Sequence, residues 1–167
     1  CEFASCSTQT HGLRFDRDYV RMPASSAFDF GTRPFTIELW MLADGTQPGF
    51  LPVLVSGRVL ADSEWIGWWV GLHNNPGSGP LGVVFVGNGN GLVLSGSGRD
   101  LRDATWHHVA VTHQDGDITV VVDGSIAANL LLPESFDAPG PIEIGGDPEF
   151  GRGYDFAGSI FDVRIWN

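Results

Sequence analysis

The sequence contains no lysine. All nine basic residues are arginine, and 20 acidic residues outnumber them, so the formal net charge is −11. The arginines form no cluster or stripe along the chain. Because a surface of this sign repels phosphate backbones and anionic lipids, nucleic acids and heparin-like polyanions are poor candidate partners. A divalent cation, in contrast, is compatible with the excess of carboxylates.

Long apolar runs are missing as well. No stretch of about 18 or more apolar residues occurs, so the sequence predicts no membrane-spanning helix. The first residues lack the basic and apolar regions of a signal peptide, so we expect any such peptide to have been removed already.

Cysteine is nearly absent: Cys1 and Cys6 lie close together at the N-terminus, outside every strand pattern. A small disulfide loop between them is feasible in an oxidising compartment, and we expect this pairing. A chain that begins with cysteine also suits a lipid-anchored bacterial protein, although a simple chain boundary explains it equally well. We treat residues 1–11 as an N-terminal segment and residues 12–167 as a single domain.

Helical periodicity is almost absent, whereas the alternation typical of strands recurs. In FTIELWM, residues 35–41, alternation places four apolar side chains on one face of a strand: Phe35, Ile37, Leu39 and Met41. The NGNG stretch at 88–91 and the Asp-Gly pairs at 115–116 and 123–124 predict hairpin turns whose central residues need positive φ. With 23 glycines, 10 prolines and no alternation of strands with helices, the sequence predicts an all-β, antiparallel two-sheet sandwich or jelly roll. We expect the last strand to pair beside the first.

Five segments resemble, in their order and spacing, the laminin-G-like domains of the concanavalin A-type jelly rolls. They are LRFDRDYVRMP (13–23), FGTRPFTIELWM (30–41), TWHHVAVT (105–112), VVVDG (120–124) and FAGSIFDVRIWN (156–167). The resemblance runs from about residue 12 to the end of the chain and implies the same sandwich fold.

Two further segments resemble the calcium-binding loops of pentraxins: VSGRVLADSEW (55–65) and the acidic triplet at 147–149. The resemblance implies that these loops converge and hold calcium. The residues that match are Asp62, Ser63 (in place of an amide ligand), Asp147, Pro148 through its carbonyl, and Glu149. The chain lacks the cysteine that pentraxins carry in the strand after W-x-H, so it is not a true pentraxin. The loop after Glu149 is shorter than in pentraxins, so the resemblance leaves a second calcium ion open. Asp155 is a candidate ligand for either ion.

The residues themselves leave the calcium prediction open. Calcium prefers six to eight oxygen ligands, and Asp147 and Glu149 point the same way in an extended segment, while Pro148 leaves its carbonyl free. However, Asp, Gly and Pro are also ordinary turn residues, and acidic loops are usually solvated. Asp16 and Asp18 fall in a turn that admits the same two interpretations.

Neither zinc binding nor catalysis is favoured. The adjacent His107 and His108 point to opposite faces of a strand, so they cannot chelate one ion together. A glycosidase of this fold would carry acids alternately along one strand, but Glu38 and Glu143 each stand alone in their strands. Glu64 with Asp62 is a possible acid pair that competes with the calcium assignment. We therefore expect no enzyme.

The aromatic segment EWIGWWVGL, residues 64–72, is a candidate ligand site. Alternation places Trp65 and Trp69 on one face, where neighbouring glycines leave room for a flat sugar ring. The alternative is that a sandwich with both faces covered buries these rings. Trp65 and Glu64 follow Asp62 closely, so they are candidates to flank a metal-held ligand.

Together these observations predict a secreted or cell-surface, non-catalytic recognition module that binds calcium. Its expected ligand is a carbohydrate, or another polar or anionic group, in the manner of a lectin. The alternatives are an adhesive or spacer domain that binds protein partners, and a glycoside hydrolase or polysaccharide lyase.

Overall fold

The computed structural model describes residues 12–89, 91–94, 98–132 and 135–167. Cys1 and Cys6, with the disulfide predicted between them, lie outside these residues. The described strands are β1 (Leu13–Asp16), β2 (Val20–Met22), β3 (Phe35–Ala43), β4 (Val53–Ser56), β5 (Val59–Ala61), β6 (Glu64–Ile66), β7 (Trp68–Leu72), β8 (Val84–Asn88), β9 (Gly91–Leu94), β10 (Trp106–Gln114), β11 (Asp117–Val122), β12 (Ser125–Leu131), β13 (Ile142–Ile144) and β14 (Ala157–Trp166). Two short 3₁₀ turns occur at Ser26–Phe28 and Arg152–Tyr154.

The strands form two antiparallel sheets of six strands each. The first sheet has the order β1-β14-β3-β10-β11-β12, the second has the order β2-β13-β4-β7-β8-β9, and β5 and β6 form a separate hairpin. The last strand pairs with the first, for example at Leu13 and Ile160. The all-β two-sheet sandwich predicted from the sequence is therefore confirmed.

The main core fills the space between the two sheets. The alternation of β3 sends its odd-numbered apolar side chains inward, where each is at most 4% exposed. The second sheet contributes Trp68, Val70 and Leu72 from β7, as the alternation in EWIGWWVGL indicates. Ile66 leaves this pattern because Gly67, with φ of 113°, turns the chain between β6 and β7.

Tight turns with positive φ connect the hairpins. The Asp-Gly pairs at 115–116 and 123–124 have φ values between 50° and 88°, as the turn prediction requires. The same geometry occurs at Asp62 and Ser63, with φ of 50° and 68°, which form the turn of the β5–β6 hairpin. Two of the predicted calcium ligands are thus the central residues of a hairpin turn.

A β-bulge interrupts β14. Phe161 pairs with Trp40 of β3, but the next paired residue is Arg164, opposite Glu38. The extra residue lies at Asp162, which has φ of 53°. Because of this bulge, Val163 and Ile165 pack against the core, and Arg164 and Trp166 join Phe161 on the outer face.

Candidate functional site

The outer face of the second sheet is covered by the chain itself. Trp69, Val53 and Phe85 form a second hydrophobic cluster, against which Leu51 and Tyr154 pack. The room left by the glycines is filled: the Trp69 ring lies over Gly87, and the Phe85 ring over Gly71. Trp69 is only 3% exposed. Its ring therefore has no open face for a sugar. This agrees with the alternative that a sandwich with both faces covered buries the ring.

Arg58, between β4 and β5, lies at the centre of this covering layer. Its guanidinium carbon is 3.7 Å from the centre of the Trp69 ring and 3.3 Å from that of Phe150. These two rings are nearly parallel, at 17°, and 6.2 Å apart, so the guanidinium lies between them. Trp65 stacks on Phe150 with ring centres 3.4 Å apart. The arrangement is a cation–π sandwich, worth about 2 kcal/mol or more where it is desolvated.

The guanidinium also forms a buried ion pair. Arg58 Nη2 donates to Asp147 Oδ2 at 3.2 Å, and both side chains are 1% exposed. Burial lowers the pKa of Arg58 to about 10, although Asp147 opposes this shift. Burial likewise raises the pKa of Asp147, and Arg58 limits the rise. With a pKa near 10, Arg58 is cationic at neutral pH and neutralises the carboxylate. We call Arg58, Trp65, Trp69, Asp147 and Phe150 the Arg58 cluster.

The two segments predicted to converge, 55–65 and 147–155, do lie together, and contacts of Asp147 and Glu149 with the first segment join them. Besides the Arg58 cluster, Glu149 Oε2 accepts a hydrogen bond from the backbone N–H of Leu60 at 3.3 Å. Arg58 was not among the predicted site residues. Its signal was available, since Arg58 is the single basic residue in the 55–65 segment and faces an acidic loop.

The predicted metal ligands are dispersed around this junction. Asp62 and Ser63 are exposed at the hairpin turn. The Pro148 carbonyl accepts a hydrogen bond from Gly151 N–H at 3.3 Å. Asp155 lies at the end of the second 3₁₀ turn, where burial raises its pKa.

The donor set does not fit calcium at Asp147. Within 12–89, 91–94, 98–132 and 135–167, no three His, Cys, Asp or Glu side chains come close enough to hold an ion. Asp147 Oδ2 contacts a guanidinium, whereas calcium needs six to eight oxygen ligands.

His107 and His108 point to opposite faces of β10, as alternation predicts. His107 is buried, with Nδ1 2.8 Å from Asp123 Oδ2 and Nε2 3.0 Å from Asp103 Oδ1. These contacts connect the start of β10 with the end of β11 and with the loop that precedes β10. Since each ring nitrogen faces a different carboxylate, the three groups do not converge on a common point.

The outer face of the first sheet, in contrast, carries exposed aromatic rings. Trp40 is 39% exposed and Trp166 is 55% exposed. Glu38 lies between them in register: Trp166 Nε1 donates to Glu38 Oε1 at 3.4 Å, and the Trp40 ring lies 5.2 Å from that of His108. Arg164 Nη1 is 3.6 Å from Glu38 Oε1, and His108 Nε2 is 3.5 Å from Glu38 Oε2. We call Glu38, Trp40, His108, Arg164 and Trp166 the Glu38 face.

The Glu38 face was not among the predicted sites. Glu38 is the lone acid of its strand, although the alternation of FTIELWM places Glu38 and Trp40 together on the outward side. The contribution of β14 was harder to anticipate, because it depends on the bulge at Asp162.

The comparisons with known proteins agree with this architecture. A laminin G family model, described as the concanavalin A-like lectin/glucanases superfamily, matches residues 16–167. A candidate carbohydrate-binding protein from Bacteroides ovatus is 19% identical with a TM-score of 0.70, over 92% of this chain and 42% of that one. The CBM40 of the Ruminococcus gnavus IT-sialidase is 16% identical with a TM-score of 0.66, over 93% of this chain and 89% of that one.

The fold of this chain is also similar to that of a pentraxin. The SAP-like pentraxin from Limulus polyphemus is 14% identical with a TM-score of 0.59, over 91% of this chain and 67% of that one. At these identities the likenesses concern the fold, and the chain spans less than half of the Bacteroides ovatus protein. None of the helices in the described part of the chain has the length and apolarity needed to cross a membrane. The sandwich topology and the match over residues 16–167 place the chain in the concanavalin A-like lectin/glucanase superfamily.

Proposed function

We propose that this domain is a non-catalytic carbohydrate-binding module of an extracellular protein. The observation that carries the proposal is the exposure of Trp40 and Trp166 on one face of a sheet, on either side of a hydrogen-bonding group, Glu38. Exposed aromatic rings that are grouped on one surface typically mark an interaction site, whereas single exposed apolar residues need no explanation.

The chemistry of this face suits sugars. A sugar ring presents C–H groups on its faces, which pack against an indole ring, and hydroxyl groups at its edge, which bond to polar side chains. Glu38 supplies acceptors, and Arg164 and His108 supply a charged donor and an imidazole. The superfamily and the descriptions of the Bacteroides ovatus and Ruminococcus gnavus structures support the same class of ligand.

An enzymatic role is the second candidate, because the superfamily description includes glucanases. Glycosidases need two carboxyl groups on opposite sides of the scissile bond, about 5 to 9.5 Å apart. Glu38 instead has Arg164, His108 and Trp166 as neighbours. Glu143 is 1% exposed and pairs with Arg21 at 2.5 Å. These surroundings favour binding over catalysis.

The test is binding to insoluble polysaccharides and to a glycan array, with calcium and with EDTA. We expect binding that is the same in both conditions and is weakened in Trp40→Ala. Leu131→Ala is the matched control, since Leu131 is an equally apolar, 72% exposed residue on the far strand of the same sheet. If no glycan is retained in either condition, the proposal fails, and binding to protein partners alone would favour an adhesive domain.

A further inference from the structure

The Glu38 face is long in the direction of its strands. Trp166 is paired with Thr36, so Trp40 lies four residues further along β3. At about 3.3 Å per residue, the two tryptophans are separated by about 13 Å along the strand and by one strand spacing across it. One sugar ring cannot contact both, so a ligand that uses both rings must contain several sugar units.

The face continues beyond Trp166 into a shallow depression of about 390 Å³ at the ends of β3, β10 and β14. Apart from the buried His113, its polar lining comes from Thr36, Thr112, Gln114 and Asn167. These are uncharged hydroxyl and amide groups, which match the donors and acceptors of sugar hydroxyls. The aromatic and polar positions therefore form one strip that is open at the surface, and the side chains described along it form no enclosed pocket for a chain end.

Among the residues described along the strip, two carboxylates, Glu38 and Asp162, face one guanidinium, that of Arg164. Arg164 is shared between Glu38 and Asp162, with Arg164 Nη2 2.7 Å from Asp162 Oδ2. His108 faces Glu38 as well. The charge of Arg164 is thus already offset by carboxylates, and the net charge of −11 opposes approach of a polyanion.

The contacts to Glu38 are long, between 3.4 and 3.6 Å. Good hydrogen bonds to a carboxylate are about 2.7 to 2.9 Å, so these contacts leave much of the acceptor capacity of Glu38 unused. A sugar hydroxyl that approaches Glu38 can form a shorter bond without breaking a strong one.

We infer that the Glu38 face binds the interior of a linear, uncharged polysaccharide, which lies along β3 and β14 and stacks on Trp40 and Trp166. This inference rests on the proposed function and specifies its site and its class of ligand. A second copy of the chain is the competing occupant of the same exposed rings.

The experiment is titration calorimetry with cello-, xylo- and manno-oligosaccharides, from the disaccharide to the hexasaccharide, and with a polyuronic acid. For at least one uncharged series we expect Kd to fall with chain length and then level off, with no change when the reducing end is capped. The polyuronic acid should bind more weakly. Trp40→Ala and Trp166→Ala should each raise Kd for the hexasaccharide about tenfold or more. The loss should be small for the disaccharide, which reaches one ring. Leu131→Ala should bind as the parent does.

The outcomes separate this inference from the proposed function. If oligosaccharides bind but neither tryptophan variant changes Kd, the domain is a carbohydrate-binding module with its site elsewhere, and the inference is overturned. Disaccharides that bind as tightly as hexasaccharides, or a preference for the polyuronic acid, overturn it as well. Should no saccharide bind, the proposed function itself fails. If sedimentation shows a dimer that Trp166→Ala converts to a monomer, the face is an interface between copies. Circular dichroism and melting curves confirm that each variant is folded.

Discussion

Replacement of Arg58 by methionine is the sharpest test of how the acidic loop is held. Arg58→Met keeps an unbranched apolar side chain between Trp69 and Phe150 but removes the charge that faces Asp147. Breaking a buried ion pair by removing one partner costs about 3 to 5 kcal/mol, because the other charge stays buried alone. Loss of the cation–π contacts adds to this, and retained packing offsets part of it.

The expected loss of unfolding free energy is therefore about 4 kcal/mol. For a domain of this size each kcal/mol lowers Tm by about 2 to 4 °C, so Tm should fall by about 8 to 16 °C. The measurements are urea unfolding followed by circular dichroism and differential scanning calorimetry. The double variant Arg58→Met, Asp147→Asn should recover much of the loss, because it leaves no unpaired buried charge.

Arg164→Met is the matched control. Arg164 also pairs with carboxylates but is 51% exposed, so its replacement should cost less than about 1 kcal/mol. A loss below about 1 kcal/mol in Arg58→Met, or a double variant no more stable than that single one, would refute the reasoning about the ion pair. A rise of several degrees in the Tm of the parent on addition of calcium would show that the folded domain binds the ion.

Three further predictions concern other parts of the molecule. Hydrogen bonds from Thr105 and His107 lower the pKa of Asp103 to about 2. This carboxylate therefore contributes stability above its unfolded pKa of about 3.8 that is lost as the pH falls toward 2, and acid titration of Asp103→Asn should show a flatter decline in stability. Ser63→Gly should raise the free energy of unfolding by about 1 kcal/mol, since glycine adopts its φ of 68° without strain, and urea midpoints that fall instead would contradict the turn assignment. Trp69→Ala should lower the free energy of unfolding by about 3 to 5 kcal/mol, as burial of its ring requires; a well-folded variant that only loses sugar binding would make Trp69 a ligand platform after all.

Local patterns predicted those features of the fold that depend on neighbouring residues. The alternation of Phe35, Ile37 and Leu39 was enough to orient β3, because strand periodicity is a local property. The Asp-Gly turns were identifiable for the same reason, since positive φ restricts residue choice at the turn itself. Trp106 shows the limit: its hydrophobicity makes it a candidate core residue, but its register opposite Leu42 places it on the outer face with His108.

The candidate sites depend on contacts between distant residues. Arg58 and Asp147 are 89 positions apart, and Glu38 and Trp166 are 128 positions apart. No periodicity links such pairs, and a resemblance in the acidic loop predicts a cation there without saying whether a metal or a guanidinium provides it. The convergence of the two loops followed from the fold, whereas the identity of the cation depended on one side chain, Arg58.

The bulge at Asp162 sets the phase of the final strand. If Asp162 paired regularly opposite Leu39 instead of bulging, β14 would continue its alternation from Phe161, and Val163 and Ile165 would emerge at the surface. Arg164 and Trp166 would then turn toward the core, where a guanidinium and an indole N–H would need new partners. The bulge thus absorbs one extra position of the chain and keeps Arg164 and Trp166 on the outer face beside Glu38. A relative that lacks one residue at this point should therefore pair regularly there and still present the equivalents of Arg164 and Trp166 outward.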